Sequence, residues 1–277
     1  MRMGRLRAAD QWVLAADDGG GWRAIIGAKA TDISDLLRLH DGAPALELGD
    51  IVCSATLGSP ITRPGKIIAI GLNYLDHIRE TGATRPDRPV VFAKFSSSVI
   101  GPYDDIVIEP DLTSQGDYEA ELAVVIGRPA RRVSEANALQ HVFGYLVAND
   151  VSARDWQKPD GQLSRSKSMD TFCPLGPWIT AADQVPNPSA LAIRSWVNGE
   201  SRQDSSTAEM VFSISQLISF LSQTMTLEPG DVILTGTPHG VGFARNPPVF
   251  LAEGDVVRCE VEGLGYIENK VARPKAS

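Results

Sequence analysis

The stretch Gly116-Asp117-Tyr118-Glu119-Ala120-Glu121-Leu122-Ala123-Val124-Val125-Ile126-Gly127 decides how this chain folds. From Leu122 to Ile126 it is unbroken aliphatic, short for a core helix and rich in β-branched residues, as in a strand whose end lies well inside the protein. Side chains of a strand alternate between faces, so Asp117, Glu119 and Glu121 are expected on one face. Carboxylates side by side where a strand enters the core repel one another and lose hydration, unless a cation neutralises them. All-oxygen donors suit Mg²⁺, Mn²⁺ or Ca²⁺ rather than zinc. The pattern also fits the polar face of an edge strand, and spacing alone leaves both readings open.

A second stretch bears on that choice. Phe143-Gly144-Tyr145-Leu146-Val147-Ala148-Asn149-Asp150 reads as another buried strand, and it ends on an acid. Asp150 at the mouth of such a strand is a candidate third ligand beside Glu119 and Glu121. Three carboxylates leave positions open on a six-coordinate ion for water and substrate.

Outward from these strands, short apolar runs recur between turn signals. KIIAIGLNY, PVVFAKF, DIVIEP, LAIRSWVNG, DVILTG, DVVRCEVEG and YIENKV are rich in β-branched or aromatic residues and read as strands. Helices are expected near 134–141 and 212–225, the second with Ile214, Leu217, Ile218 and Leu221 at helical spacing. The class is therefore β-rich α+β. Residues 1–60 read as a small N-terminal α/β domain: short strands about the turn Asp17-Asp18-Gly19-Gly20-Gly21, then a helix capped by Asp32 or Thr31 and ended at Gly42. Gly58-Ser59-Pro60 and Pro64-Gly65 read as a linker to a catalytic domain over 65–277.

Composition narrows the partners. The 277 residues are 43% hydrophobic and 22% charged, ordinary for a folded protein, with a formal net charge of −8. An acidic surface repels phosphate backbones and anionic lipid, which argues against nucleic acid and membranes as partners. Cys53, Cys173 and Cys259 share no metal or redox spacing and are expected as buried small hydrophobes. The N-terminal residues lack an apolar targeting segment, and a cytoplasmic protein is expected.

Five other segments carry chemistry. In Asn73-Tyr74-Leu75-Asp76-His77-Ile78-Arg79-Glu80, a helical turn puts His77 and Glu80 on one face, as a surface ion pair or as a base with its orienting carboxylate. Lys94 and Lys167 are either solvated or placed to neutralise an anionic intermediate. Arg154 and Gln157, close after Asp150, either grip a carboxylate or serve as scaffold, with Arg154 paired to Asp155. The loop Thr235-Gly236-Thr237-Pro238-His239-Gly240-Val241-Gly242 lacks the Gly-Lys-Ser/Thr ending of a phosphate loop; its N–H groups and the Thr hydroxyls suit a carboxylate instead.

These motifs together are where the chain resembles the fumarylacetoacetate hydrolase family. GLNYLDHIRE, FAKFSSSVIGP, DYEAELAVVIG, NDVSARDWQ, KSMDTFCPLGPW, NGESRQDSSTAEMVF, ILTGTPHGVG and EGDVVRCEVEGLGYIENKV stand in family order between about 65 and 272. The resemblance implies a mixed β-sandwich roll, a homodimer, and Mg²⁺ or Mn²⁺ held by Glu119, Glu121 and Asp150. It further implies a lid carrying His77 and Glu80 as the water-activating pair, with Lys167 as enolate stabiliser. Arg154, Gln157, Thr237 and Lys94 become candidates for binding a small 2-oxo acid substrate. The expected reaction is hydrolytic C–C cleavage of a 2,4-dioxo acid, an acylpyruvate or a 2,4-dioxo-3-deoxy sugar acid, to pyruvate and a second carboxylic acid. Oxaloacetate decarboxylation and isomerisation of an unsaturated 2-oxo diacid pass through the same enolate, and a non-catalytic binder of metal or 2-oxo acid is the reading from another class.

Overall fold

The Ala120–Ile126 strand lies at the centre of the molecule, and every residue of it is buried. The computed structural model describes residues 1–27, 32–39, 46–53 and 56–274. On one side the strand pairs antiparallel with Val142–Asn149, Ala120 opposite Asn149. On the other it pairs with Val232–Leu234, from Ala123 to Val125. Leu122, Val124 and Ile126 pack with Ile193, Val257 and Ile267 of a second sheet. Ala123 and Val125 pack the opposite way, with Met3, Leu14 and Leu37. Cover on both faces is why the segment is continuously apolar rather than alternating.

Among the described residues the large sheet has twelve strands. Its main path runs Leu48–Ile51, Trp22–Ile25, Gln11–Asp17, Arg2–Ala8, Cys173–Ala181, Val142–Asn149, Ala120–Ile126, Val232–Leu234, Ile67–Gly71 and Val90–Lys94. The N-terminal strands join through Arg2 and Met3, opposite Thr180 and Ile179. A five-stranded sheet, ordered Glu200–Ser206, Ala192–Val197, Val256–Val261, Gly265–Ala272 and Ile106–Val107, closes over one face. Parallel pairs, such as Val232–Leu234 with Ile67–Gly71, sit among antiparallel ones. The result is a mixed, β-rich α+β fold with few helices.

Helices form where caps and apolar stripes coincide. Ser213 and Gln216 make a reciprocal capping box at the start of Ile214–Ser222, and Ile214, Leu217, Ile218 and Leu221 are buried along it. Asp32 accepts from the Asp35 N–H at the start of Ile33–Leu39. The alternative cap Thr31 and the expected stop Gly42 lie outside the described residues. The helix near 134–141 is a short α-turn, Glu135–Ala138, continued as a 3₁₀ turn to His141.

Three elements depart from the pattern. Cys173–Ala181 is a buried strand despite Pro174, Gly176 and Pro177; the partner register shifts between Tyr145 and Val147, where the ladder tolerates them. Glu200–Ser206 is polar because it edges the smaller sheet. DIVIEP contributes only Ile106–Val107. Cys173 and Cys259 are buried, while Cys53 is exposed, against the expectation for all three.

Candidate active site

The strand order brings the acidic ends together. The Asp150 N–H donates to the Glu119 carbonyl at 2.9 Å, so Asp150 leaves its strand level with Glu119. One carboxylate oxygen from each of Glu119, Glu121 and Asp150 falls within a 4.8 Å cluster, and all three residues are buried. Asp117 does not join them, contrary to the alternation expected from the sequence. Gly116–Asp117 forms a separate short ladder with Ser152–Ala153. The Asp117 carboxylate accepts from the Gly242 and Phe243 N–H groups at 2.8 and 3.0 Å, and pairs with Arg154 Nε at 2.9 Å.

Cations answer most of this charge. Lys167 Nζ lies 2.7 Å from Glu119 Oε2 and 2.6 Å from Asp150 Oδ2. Lys94 Nζ lies 2.7 Å from Asp150 Oδ1 and also meets the Lys167 carbonyl. Arg154 Nη2 lies 2.6 Å from Glu119 Oε1. Its partners are thus Glu119 and Asp117 rather than Asp155, which accepts instead from Thr113 and Ser114.

Among the described residues, Glu121 has no Lys or Arg partner. Its Oε2 accepts from the Gly236 N–H at 2.7 Å. Burial, then Asp150 and Glu119, push its pKa well above the usual carboxylate range. Burial opposes ionisation of Glu119 too, but Lys167 and Arg154 outweigh it and pull its pKa down to about 2. The Lys167 ammonium is likewise disfavoured by burial and held charged by Asp150 and Glu119, its pKa raised. A buried, all-oxygen trio with one unneutralised carboxylate fits a hard divalent cation.

A cavity of about 150 Å³ opens on this cluster, its wall including His77, Glu119, Arg154, Gln157, Lys167 and Thr237. Six of the expected site residues thus share one wall. Gln157 Nε2 is buried there with no hydrogen-bond partner. Lys94 is fully buried against Asp150, its charge applied to the carboxylate. An open depression of about 610 Å³ on the smaller sheet, lined by Arg194, Trp196 and Arg258, shares no residue with this cavity.

His77 stands on the expected helical turn, Leu75–Thr81. Its Nδ1 is 3.3 Å from Glu80 Oε2, and Glu80 Oε1 accepts from the Gly240 N–H at 2.8 Å. The Phe243 ring meets the imidazole edge-on at 6.2 Å and stacks under the Arg154 guanidinium at 4.3 Å. Gly236 and Gly240 both lie at left-handed φ, 100° and 99°, where their N–H groups reach Glu121 and Glu80. A Cβ at Gly236 would meet Asn73 Cβ at 2.9 Å, so the glycine-rich loop is a steric requirement. His239 remains half exposed, bonded to the Asp204 carbonyl, as loop scaffold.

Other residues of the site carried no signal in the sequence. Asn73, fully buried, ties the turn before the His77 helix to the Thr235 and Phe212 carbonyls. Asn149 Oδ1 accepts from the Glu119 N–H, and Gln203 bonds both Ala120 and Thr237. Asn73 and Asn149 each close an apolar run and Gln203 sits in a polar one, and only the long-range pairing gives these amides a task.

Residues 66–272 match the family model described as fumarylacetoacetate (FAA) hydrolase C-terminal. Over 218 residues the chain is 50% identical to the human protein named oxaloacetate tautomerase FAHD2A, mitochondrial, covering 78% of this chain and 69% of that one. The Xenopus laevis protein named oxaloacetate tautomerase fahd2, mitochondrial, is 52% identical, covering 78% and 68%. The solved fumarylacetoacetate hydrolase of Exiguobacterium antarcticum superposes with a TM-score of 0.90 at 37% identity, covering 99% and 100%. The 2-hydroxyhepta-2,4-diene-1,7-dioate isomerase of Mycobacterium marinum gives 0.80 at 35%, covering all of both chains. The relatives named for mitochondria lend no support to the cytoplasmic expectation. No helix among the described residues is long and apolar enough to cross a membrane.

Proposed function

This chain belongs to the fumarylacetoacetate hydrolase family, and from that premise we propose that it forms and stabilises the enolate of a small 2-oxo acid, interconverting the keto and enol forms of oxaloacetate. One observation carries the reading: His77, held by Glu80, shares the wall of one small cavity with the buried cation Lys167. Relatives about 50% identical bear the name of that reaction.

The chain's own groups divide the work. His77 faces Glu80 through Nδ1, which leaves Nε2 to take a proton from C3 of the substrate. The negative charge that appears on O2 is met by the Lys167 ammonium. Proton return to O2 gives the enol, and the reverse path the ketone. Arg154 and Gln157 offer donors for the distal carboxylate, Thr237 lies where the proximal end would rest, and Lys94 fixes Asp150. Glu119, Glu121 and Asp150 would hold Mg²⁺ or Mn²⁺, which when bound supplies Lewis-acid polarisation of the 2-oxo group.

Hydrolytic C–C cleavage is the second reading, favoured by the hydrolase superposing at 0.90 and by a His–Glu pair suited to deprotonating water. Hydroxide adds to C4 of a 2,4-dioxo acid, the C3–C4 bond breaks, and its electron pair passes to the enolate. Protonation at C3 then releases pyruvate and a carboxylic acid.

The deciding experiment follows deuterium exchange at C3 of oxaloacetate, with pyruvate and CO₂ release, across oxaloacetate and a panel of acylpyruvates, in Mg²⁺, Mn²⁺ or EDTA. Accelerated exchange without pyruvate release, lost in EDTA, is expected. Pyruvate from acylpyruvates would replace tautomerisation by hydrolysis, and CO₂ by decarboxylation. Silence with every substrate, together with 2-oxo acid binding, would make the chain a binder. A homodimer belongs to the same proposal and is checked by light scattering of the purified protein.

A further inference from the structure

Gln203 lies on the polar edge strand Glu200–Ser206, yet it is fully buried. Its Oε1 accepts from the Ala120 N–H and from Ser195 Oγ, both at 2.9 Å. Its Nε2 donates to Thr237 Oγ1 at 2.8 Å and to the Pro238 carbonyl at 2.9 Å. An amide N–H only donates and a carbonyl only accepts, so these partners fix which way the Gln203 amide points. The Thr237 hydroxyl, accepting from Gln203, sends its own proton to the Ala120 carbonyl at 3.0 Å.

Gln203 and Thr237 therefore grasp the N–H and the carbonyl of the single residue between Glu119 and Glu121. The sheet itself does not do this on that edge. The Val232–Leu234 strand pairs only with Ala123 to Val125, and the Thr235 N–H reaches no further than the Leu122 carbonyl. Beyond that point side chains continue the ladder across the two sheets.

We propose that Gln203 is a positioning residue for the carboxylate trio, acting through Ala120 to set the spacing of Glu119 and Glu121, and through Thr237 to tie that spacing to the cavity wall. The inference rests on reading the trio as a cation site. Residues that orient metal ligands without touching the metal typically change its affinity about 10–100-fold when removed.

The test measures Mn²⁺ affinity without substrate, from the electron paramagnetic resonance signal of free Mn²⁺, alongside thermal melts, for the wild type, Gln203→Met and Ser195→Ala. Gln203→Met keeps the side-chain length and removes all four hydrogen bonds; its Mn²⁺ affinity is expected to fall about 10–100-fold. Ser195→Ala removes one bond to the same Oε1 and spares Ala120, and is expected to bind as the wild type does. If Gln203→Met does not fold, Thr237→Val, which frees the Ala120 carbonyl and takes one acceptor from the Gln203 amide but leaves Gln203 bonded to the Ala120 N–H, is expected to lose part of the affinity. Wild-type Mn²⁺ affinity in a folded Gln203→Met or Thr237→Val protein, even with a lowered melting temperature, would reduce the residue to ordinary packing and overturn the proposal. A wild type that binds no Mn²⁺ would sink the cation site itself, and this inference with it.

Discussion

Glu119 and Asp150 are joined twice, once by the Asp150 N–H on the Glu119 carbonyl at 2.9 Å and once through Lys167, whose Nζ touches an oxygen of each at 2.7 and 2.6 Å. Backbone register thus fixes the two carboxylates at one level, and a single ammonium spans them. The same two carboxylates, with Glu121, would hold a divalent ion. Lys167 and the ion therefore act on one set of donors, and a change at either is felt by the other.

Lys167→Met makes that coupling measurable. Removing one partner of a buried ion pair costs about 3–5 kcal/mol, so the metal-free variant should melt well below the wild type. Losing a positive charge beside the donors should raise Mg²⁺ affinity, so added Mg²⁺ should raise the variant's melting temperature more than the wild type's. Turnover should fall by about 10²–10³, the loss typical of a missing oxyanion partner. Weaker Mg²⁺ binding in the variant, by titration calorimetry, would mean that Lys167 supports the ion rather than competing with it.

The His77–Glu80 pair gives a graded series. His77→Ala should slow C3 deuterium exchange by about 10²–10⁴, the usual weight of a general base. Glu80→Gln can still accept from the Gly240 N–H, so its loss should be smaller and its fold intact. Full turnover in His77→Ala would leave an enolate stabiliser with no base, the requirement of a decarboxylase.

Arg154 should separate binding from chemistry. It is held by Asp117 and Glu119 and backed by Phe243, a setting that a lysine cannot reproduce. With a charge-assisted hydrogen bond worth about 1.5–3 kcal/mol, Arg154→Lys should raise KM roughly 10- to 100-fold and change kcat less. An equal fall in kcat with KM unmoved would move Arg154 from substrate grip to transition-state charge.

What could be read from the chain followed from how local the signal was. Ala120–Ile126 and Val142–Asn149 announce themselves because cover on both faces leaves an unbroken apolar run, and the acids at their ends stand out against it. His77 and Glu80 are one helical turn apart, so their meeting was legible too. Cys173–Ala181 was not, since Pro174, Gly176 and Pro177 interrupt any strand pattern and only a shifted register receives them. Asp117 was misplaced because the ladder breaks between it and Ala120, which no alternation rule detects. Gln203 lies 83 residues from Ala120 in sequence, and a buried amide in a polar strand acquires meaning only when the two sheets stack.

Asp32 offers a pH test away from the cavity lined by His77 and Lys167. Its Oδ1 accepts from Ser34 Oγ at 2.6 Å and the Asp35 N–H at 3.2 Å; its Oδ2 accepts from Thr62 Oγ1 at 2.8 Å and the Thr62 N–H at 3.1 Å. Burial alone would raise its pKa, but the hydrogen bonds from Ser34, Thr62 and Asp35 outweigh it and the pKa is lowered. A carboxyl that is more acidic folded than unfolded stabilises the fold above its unfolded pKa, near 4, and that stability is lost as pH falls through the folded pKa. Asp32→Asn should therefore be less stable than the wild type at pH 7, by about 1.5–3 kcal/mol if one charge-assisted bond is lost. Urea unfolding in steps from pH 7 to pH 3 should show the gap narrowing below about pH 4, as the wild type loses what the variant never had. A gap that stays constant over the whole series would mean that the loss in Asp32→Asn does not come from the charge, and that the charge at Asp32 contributes nothing to joining the Ile33–Leu39 helix to the Thr62 segment.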